Sequence, residues 1–94
     1  MQDGGVFIGN KPFMNYVTGV VMQFTKGIEN VTIKARGKFI SRAVDVAEVA
    51  TKRFLDGQAE VKSINIGSEE FDKREGRRVR VSSIEITLGR KNGI

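Results

Sequence analysis

Four cations stand within nine residues of one another: Lys34, Arg36, Lys38 and Arg42. Arginine forks onto paired phosphate oxygens and lysine supplies a compact point charge, so the grouping suits a polyanion. A second anion-suited feature is Gly9-Asn10-Lys11-Pro12. A proline opens the first turn of a helix well, and free backbone N–H groups at a helix start favour negative charge. Lys11 adds a full charge there, and Asn10 adds hydrogen-bonding groups. A third cluster is Lys73, Arg74, Arg77, Arg78 and Arg80. On a two-stranded ribbon these would reach into a nucleic-acid groove. Glu69, Glu70, Asp72 and Glu75 share the segment, so its local field is mixed. For each cluster, ordinary solvated surface charge is the alternative.

Other chemistry has little to work with. The chain contains no histidine and no cysteine. It therefore lacks the usual general base, the commonest metal ligand and any thiolate. Asp45 and Glu48 lie three apart, but no further carboxylate joins them, and an acidic pair at helical spacing usually forms a solvated stripe with a basic partner such as Lys52. The basic cluster also lacks the Gly-x-x-x-x-Gly-Lys-Ser/Thr spacing of a nucleotide loop. No enzyme activity, metal or cofactor is expected. Tyr16 and Phe39 are aromatic candidates for stacking on bases, with core packing the more ordinary role for Phe39.

The 94 residues suit a single domain over 1–94, with 39% hydrophobic and 29% charged side chains. Net charge is +5, and residues 1–30 contribute none of it, with two basic and two acidic side chains. Residues 31–60 hold six basic against four acidic, and residues 61–94 eight against five. A basic balance of this size attracts nucleic acid or an anionic surface. No apolar run approaches a membrane span, and the start resembles no secretory leader, so a cytoplasmic protein is expected.

These side chains need elements to hold them. Residues 1–5 read as a flexible lead and Val6-Phe7-Ile8 as a short strand. Phe13, Val17, Val20, Val21, Phe24 and Ile28 recur at helical spacing, with Gly27 as a C-terminal cap. Val31, Ile33 and Ala35 alternate with Thr32, Lys34 and Arg36 as a strand to Gly37. A helix then runs from about Phe39 or Ile40 to Phe54, its inner stripe being Ile40, Ala43, Val44, Ala47, Ala50 and Phe54. Val46 and Val49 extend that apolar surface, with Arg42 and Arg53 beside them, which suggests self-association. Two further strands change phase, between Val61 and Ile64 and between Val81 and Ile84. A matched bulge in a hairpin explains both, placing Val61 near Ile86 and Ile66 near Val81. Ser68 to Arg78 then forms a long charged connection, and residues 90–94 a frayed tail. The sum is an α/β (α+β sandwich) order of strand, helix, strand, helix, strand, strand. Its four-stranded mixed sheet carries both helices on one face, with the first two strands parallel.

Several stretches carry a more specific signal. Val6-Phe-Ile-Gly-Asn-Lys-Pro-Phe-Met-Asn-Tyr-Val17, Ile33-Lys-Ala-Arg-Gly-Lys38, Ala43-Val-Asp45 and Val81-Ser-Ser-Ile-Glu-Ile86 resemble the Alba family of archaeal chromatin proteins. The resemblance covers nearly the whole chain in order. It implies a sheet with two helices on one face, similar to the C-terminal domain of translation initiation factor three. It also implies a homodimer that binds double-stranded DNA, and RNA too, with little sequence preference. By resemblance, Lys11 lies in the central binding surface, Arg36 and Lys38 form the basic pair around the glycine, and Lys73 to Arg80 reach along the minor groove. Phe54 matches an aromatic position used in dimer–dimer contacts on the nucleic acid. The family often has Lys-Lys before the proline, the first being the one tied to regulatory acetylation. Asn10 stands there in this chain.

The expectation is therefore a non-enzymatic dimer that grips phosphates through Asn10, Lys11, Tyr16, Lys34, Arg36, Lys38 and the arm, and compacts or organises the chromosome. Val46, Val49, Arg53 and Phe54 are the expected contacts between copies. An RNA chaperone or ribonucleoprotein subunit is the alternative.

Overall fold

The computed structural model describes residues 3–73 and 75–91. Six main elements follow in order: β1 (Asp3–Phe7), α1 (Phe13–Thr25), β2 (Asn30–Arg36), α2 (Ile40–Val49), β3 (Ala59–Asp72) and β4 (Arg78–Arg90). The sheet order is β1-β2-β4-β3. β1 and β2 are parallel, and the other two pairings are antiparallel, which makes the expected mixed sheet.

β2 is the central ruler. Its alternation sends Val31, Ile33 and Ala35 into the core, opposite Leu88, Ile86 and Ile84 of β4. α1 lays Val17, Val20 and Phe24 onto this apolar floor, and α2 adds Ala43, Val46, Ala47 and Ala50. Small side chains along α2 let it sit close to the sheet. The opposite sheet face, carrying Thr32, Lys34 and Arg36, has no helix over it.

β1 begins at Asp3, where the sequence suggested a flexible lead. Gly4 is there for proximity. A Cβ on Gly4 would collide with the Gln23 side chain of α1, whose Nε2 donates to the Gly5 carbonyl at 3.1 Å. Arg90 likewise belongs to β4 rather than to a frayed tail, and its guanidinium donates to the Phe24 carbonyl at 2.6 Å.

The hairpin register differs from the expected one. Val61 faces Leu88 and Ile66 faces Ile84. One irregularity, between Val61 and Ser63, explains the phase change in β3. β4 has no matching bulge. Its pattern changes because the apolar side chains move from the helix-free face (Val79, Val81) to the core face (Ile84, Ile86, Leu88) where the helices begin to cover it. The connection is also shorter than expected, since β3 continues to Asp72 and β4 starts at Arg78. The turn is closed by Lys73 N–H donating to Arg77 O at 2.7 Å and Gly76 N–H to Lys73 O at 3.0 Å. The resulting arm helps make the molecule 54 Å long but only 19 Å thick.

α2 ends in a widened π turn over Ala50–Phe54, closed by Leu55 N–H donating to Ala50 O at 2.9 Å. This turn decides Phe54. In a regular helix the residue four after Ala50 would return to the inner stripe. With one extra residue in the turn, Leu55 takes that place at 5% exposure, and Phe54 is left 49% exposed.

Candidate nucleic-acid interface

The loop after β1 is fixed from two sides. The Tyr16 hydroxyl accepts hydrogen bonds from the backbone N–H of Gly9 and of Lys11, both at 2.9 Å. Arg42 of α2 donates to the Lys11 carbonyl at 3.0 Å. The Lys11 backbone is thus held on both its donor and its acceptor, while its side chain is exposed.

Gly37 supplies the other half. Its φ of +55° turns the chain out of β2, and a short 3-10 turn over Gly37–Phe39 leads into α2. Lys38 emerges from this turn exposed, its ammonium 5.3 Å from the Phe39 ring centroid. The two halves meet across an open groove lined by Asn10, Phe13, Lys38, Phe39, Ser41, Arg42 and Asp45. Asn10 and Lys38 therefore line one groove. Arg42 belongs to it as well, although its helical angle pointed towards Val49 and Arg53. Its Nε is buried with no hydrogen-bond partner. The sequence signal for Arg42 was its place in the original cluster of four cations.

That cluster is divided. Lys34 and Arg36 project onto the helix-free face, 4.0 Å from Glu85 and 3.5 Å from Glu69. On the arm, Arg78 lies 3.2 Å from Glu70 and 3.4 Å from Asp72, and Arg80 lies 3.2 Å from Glu70. Lys73 and Arg77, nearer the tip, are exposed and make no ion pair among the described residues. Arg74 lies outside the described residues. Exposed pairs of this kind contribute about 0–1 kcal/mol each, so exchanging a carboxylate for a phosphate costs little. Glu48 pairs with Lys52 at 3.6 Å, the ordinary stripe on α2. No group of three or more acidic side chains comes together among the described residues.

The Alba family model matches residues 5–68 of this chain. The chain belongs to the Alba family. It is 53% identical over 91 residues to DNA/RNA-binding protein Alba 1 of Archaeoglobus fulgidus, covering 97% of this chain and 100% of that one. It is 59% identical over 87 residues to DNA/RNA-binding protein Alba of Nanoarchaeum equitans, covering 92% and 97%. Among solved structures, Alba from Thermoplasma volcanium superposes with a TM-score of 0.84 at 46% identity, covering 93% of this chain and 100% of that one. The fold expected by resemblance is thus the one observed.

Two of the expected site residues are corrected within this family frame. Tyr16 is 7% exposed, so its ring is not available to stack on a base. Its part is to hold the loop. Val46 is fully buried and forms no outer surface, while Val49 is partly buried against the core. Phe54 and Arg53 are exposed, as a contact between copies requires. The sequence reading missed the uncovered part of β3. Val61, Ile64 and Ile66 are 41%, 58% and 82% exposed, yet they pair with Leu88, Ile86 and Ile84 and so lie on the core side of the sheet. Val44, 42% exposed, sits about 160° around α2 from Arg42, on the side of the helix away from the groove. The alternation of Ile64 and Ile66 was visible in the sequence, but not that the helices stop short of β3.

Removing only the Tyr16 hydroxyl tests the loop assignment. Tyr16→Phe keeps the ring in the core and leaves two backbone N–H groups without their acceptor. A loss of about 1–3 kcal/mol in denaturant unfolding is expected. A rise in amide hydrogen exchange at Gly9 and Lys11 larger than that of the β2 amides, which follow the global loss, would place the effect in the loop.

Proposed function

We propose that this chain binds double-stranded DNA and RNA without sequence preference, as a homodimer that contacts phosphates and performs no chemistry. The observation that carries the reading is a pair of exposed lysines: Lys38 lines the groove, and Lys11 stands on the loop whose carbonyl is held by Arg42 of that groove. Lys11 and Lys38 make no ion pair among the described residues, and both stand on tightly fixed backbone. Point charges held in place suit a regular polyanion, and contacts to phosphate set position rather than sequence. The names of the relatives, DNA/RNA-binding proteins, support the same partners.

The dimer rests on the uncovered strip. Val61, Ile64 and Ile66 form an apolar ledge at one edge of the sheet, where a second copy of the chain would extend the core. A two-fold axis through it doubles the groove and sets two arms on one side. Lys73, Arg74, Arg77, Arg78 and Arg80 then supply the reach along the duplex, and Arg36 stands at the root of each arm. Asn10 donates hydrogen bonds where relatives often present a second lysine. Phe54 and Arg53, away from the ledge, meet a neighbouring dimer on the same nucleic acid. Such coating compacts and organises a chromosome, which puts the protein in the cytoplasm with the DNA. No described helix is long and apolar enough to cross a membrane.

A salt titration tests the proposal. A dimer that neutralises about eight phosphates on duplex DNA gives a log–log slope near −7. Lys11→Ala, which removes two charges per dimer, is expected to flatten the slope by about 2 and to weaken unrelated sequences equally. A slope near zero would overturn phosphate binding, and strongly sequence-dependent losses would point to base readout.

A further inference from the structure

The helix-free face of the sheet carries two aromatic rings that the core does not use. Phe7 is 65% exposed at the end of β1, and Phe71 is 42% exposed on the arm. Both point to this face by register. Phe7 is level with Lys34, which is level with Glu85, and Phe71 is opposite Val79, an even number of residues from Glu85. A shallow depression lined by Phe7, Lys34, Arg36, Glu69, Ser83 and Glu85 lies on this face. The Lys34 ammonium is 5.7 Å from the Phe7 centroid and the Arg36 guanidinium 5.9 Å from that of Phe71. Aromatic, cation, cation and aromatic thus run diagonally across the sheet.

The charge on this surface differs from that at Lys11 and Lys38. Lys34 and Arg36 are each matched by a carboxylate, Glu85 and Glu69. The patch is close to neutral, so it draws a polyanion from a distance less strongly than unpaired lysines do, although each pair can exchange its carboxylate for a phosphate. Its exposed rings have another use, because every unpaired base has a face to stack. Duplex DNA keeps its bases stacked inside and offers none of them to a flat sheet.

We infer that the helix-free face is a second nucleic-acid site, on which unpaired bases of single-stranded RNA stack on Phe7 and Phe71. The inference rests on the proposed nucleic-acid binding but assigns it a separate surface and substrate form. Phe7 and Phe71 are six residues apart in level along β4 and three strands apart across the sheet, a diagonal of roughly 25 Å. That span suits a short run of nucleotides, at the small end of the roughly 4–16 that single-strand platforms hold. Lys34 and Arg36 sit beneath the backbone between the two stacked ends. The carboxylates and the Ser83 hydroxyl select RNA: each accepts a hydrogen bond from a ribose 2′-hydroxyl, which DNA lacks. Because the acids cancel the cations, binding here depends less on salt than binding to duplex.

The test uses the full chain and a short oligouridylate carrying one 2-aminopurine, whose fluorescence falls when it stacks. Duplex DNA is titrated in parallel. The unaltered protein is expected to quench the probe, and to do so at salt concentrations that release the duplex. Phe7→Ala should weaken oligouridylate binding by roughly 5- to 50-fold while duplex affinity stays the same. Phe7→Leu keeps an apolar side chain of similar bulk but has no ring, and it should lose the quenching with an unchanged melting temperature. Phe7→Tyr should retain it. Unchanged oligouridylate affinity in Phe7→Ala and Phe7→Leu would overturn the platform. Equal affinity for oligodeoxythymidylate would overturn the assignment to RNA. Duplex binding by a protein that ignores oligouridylate removes this site alone, whereas failure to bind any nucleic acid removes the proposed function with it.

Discussion

Changing Ile64 and Ile66 together to glutamate is expected to yield a folded monomer that has lost most of its affinity for duplex DNA. Both side chains are more than half exposed in the single chain, so its own core does not depend on them. In the proposed dimer they are buried against a second copy. Two glutamates per chain would place four carboxylates in one apolar contact, and an unpaired buried charge costs several kcal/mol even after relaxation. Light scattering should report the mass of one chain, with the helical circular dichroism retained. The consequence for binding is large because the basic surface is assembled from two copies. Losing one half removes about half the phosphate contacts, so the salt slope should fall from near −7 to near −3.5. It also removes the effective concentration that the first half gives the second, an effect of about 10²–10⁴-fold. A double variant that stays dimeric with an unchanged slope would exclude the β3 ledge as the interface.

That the ledge escaped the sequence reading has a physical cause. Period-two alternation says which side chains share a face, and it identified β2, with Val31, Ile33 and Ala35 inward, without difficulty. It does not say how far the helices extend across the sheet. Val61, Ile64 and Ile66 have the pattern of a buried face, but no helix lies over their strand. The arm was hidden for a related reason. Ser-Glu-Glu-Phe-Asp has the composition of a loop, and only the partner strand turns it into strand, by placing Arg78 and Arg80 around Glu70. Cross-strand compensation of this kind is a property of two segments and appears in neither alone.

The candidate site was legible in part for the same reason. Lys11, Lys38 and Asn10 come from turns whose chemistry is local: a proline, a glycine at positive φ, a helix start. Asn10 and Lys38 line one groove, and the Lys11 backbone is tied to Arg42 of the same groove. Lys34 and Arg36 were grouped with them by proximity in sequence, but Gly37 redirects the chain, and the strand pleat had already sent them to the other face. At 100° per residue Tyr16 falls about 90° around α1 from the centre of its apolar stripe, an angle that leaves open whether the ring faces water or core. The hydroxyl settles this, because it can enter the core edge only by taking up the two N–H groups of the loop. Phe54 turns on a single slipped hydrogen bond at Ala50. Thr51, whose hydroxyl donates to Ala47 O at 2.8 Å, adds a competing local bond that the residue spacing does not reveal.

The second large effect is expected at Val46, and it separates core from interface directly. Its neighbours on α2 include half-exposed Val44, yet Val46 itself is completely buried in the single chain. A 94-residue domain has a total stability of roughly 5–14 kcal/mol. Val46→Asp puts a carboxylate at a fully buried site, at a cost comparable to that whole stability. The expected product is unfolded at room temperature, with lost far-ultraviolet circular dichroism. Val46→Ala provides the graded version. Losing two buried carbon atoms and leaving a small cavity should cost about 2 kcal/mol, or a fall of roughly 10 °C in Tm, with dimer mass and salt slope intact. Phe54→Asp, on the exposed side of the π turn, should by contrast melt like the unaltered protein and change only contacts between dimers. If Val46→Asp instead gave a folded monomer, α2 would have to present the face that now lies on the sheet. The π turn would then no longer explain why Leu55, rather than Phe54, fills the core.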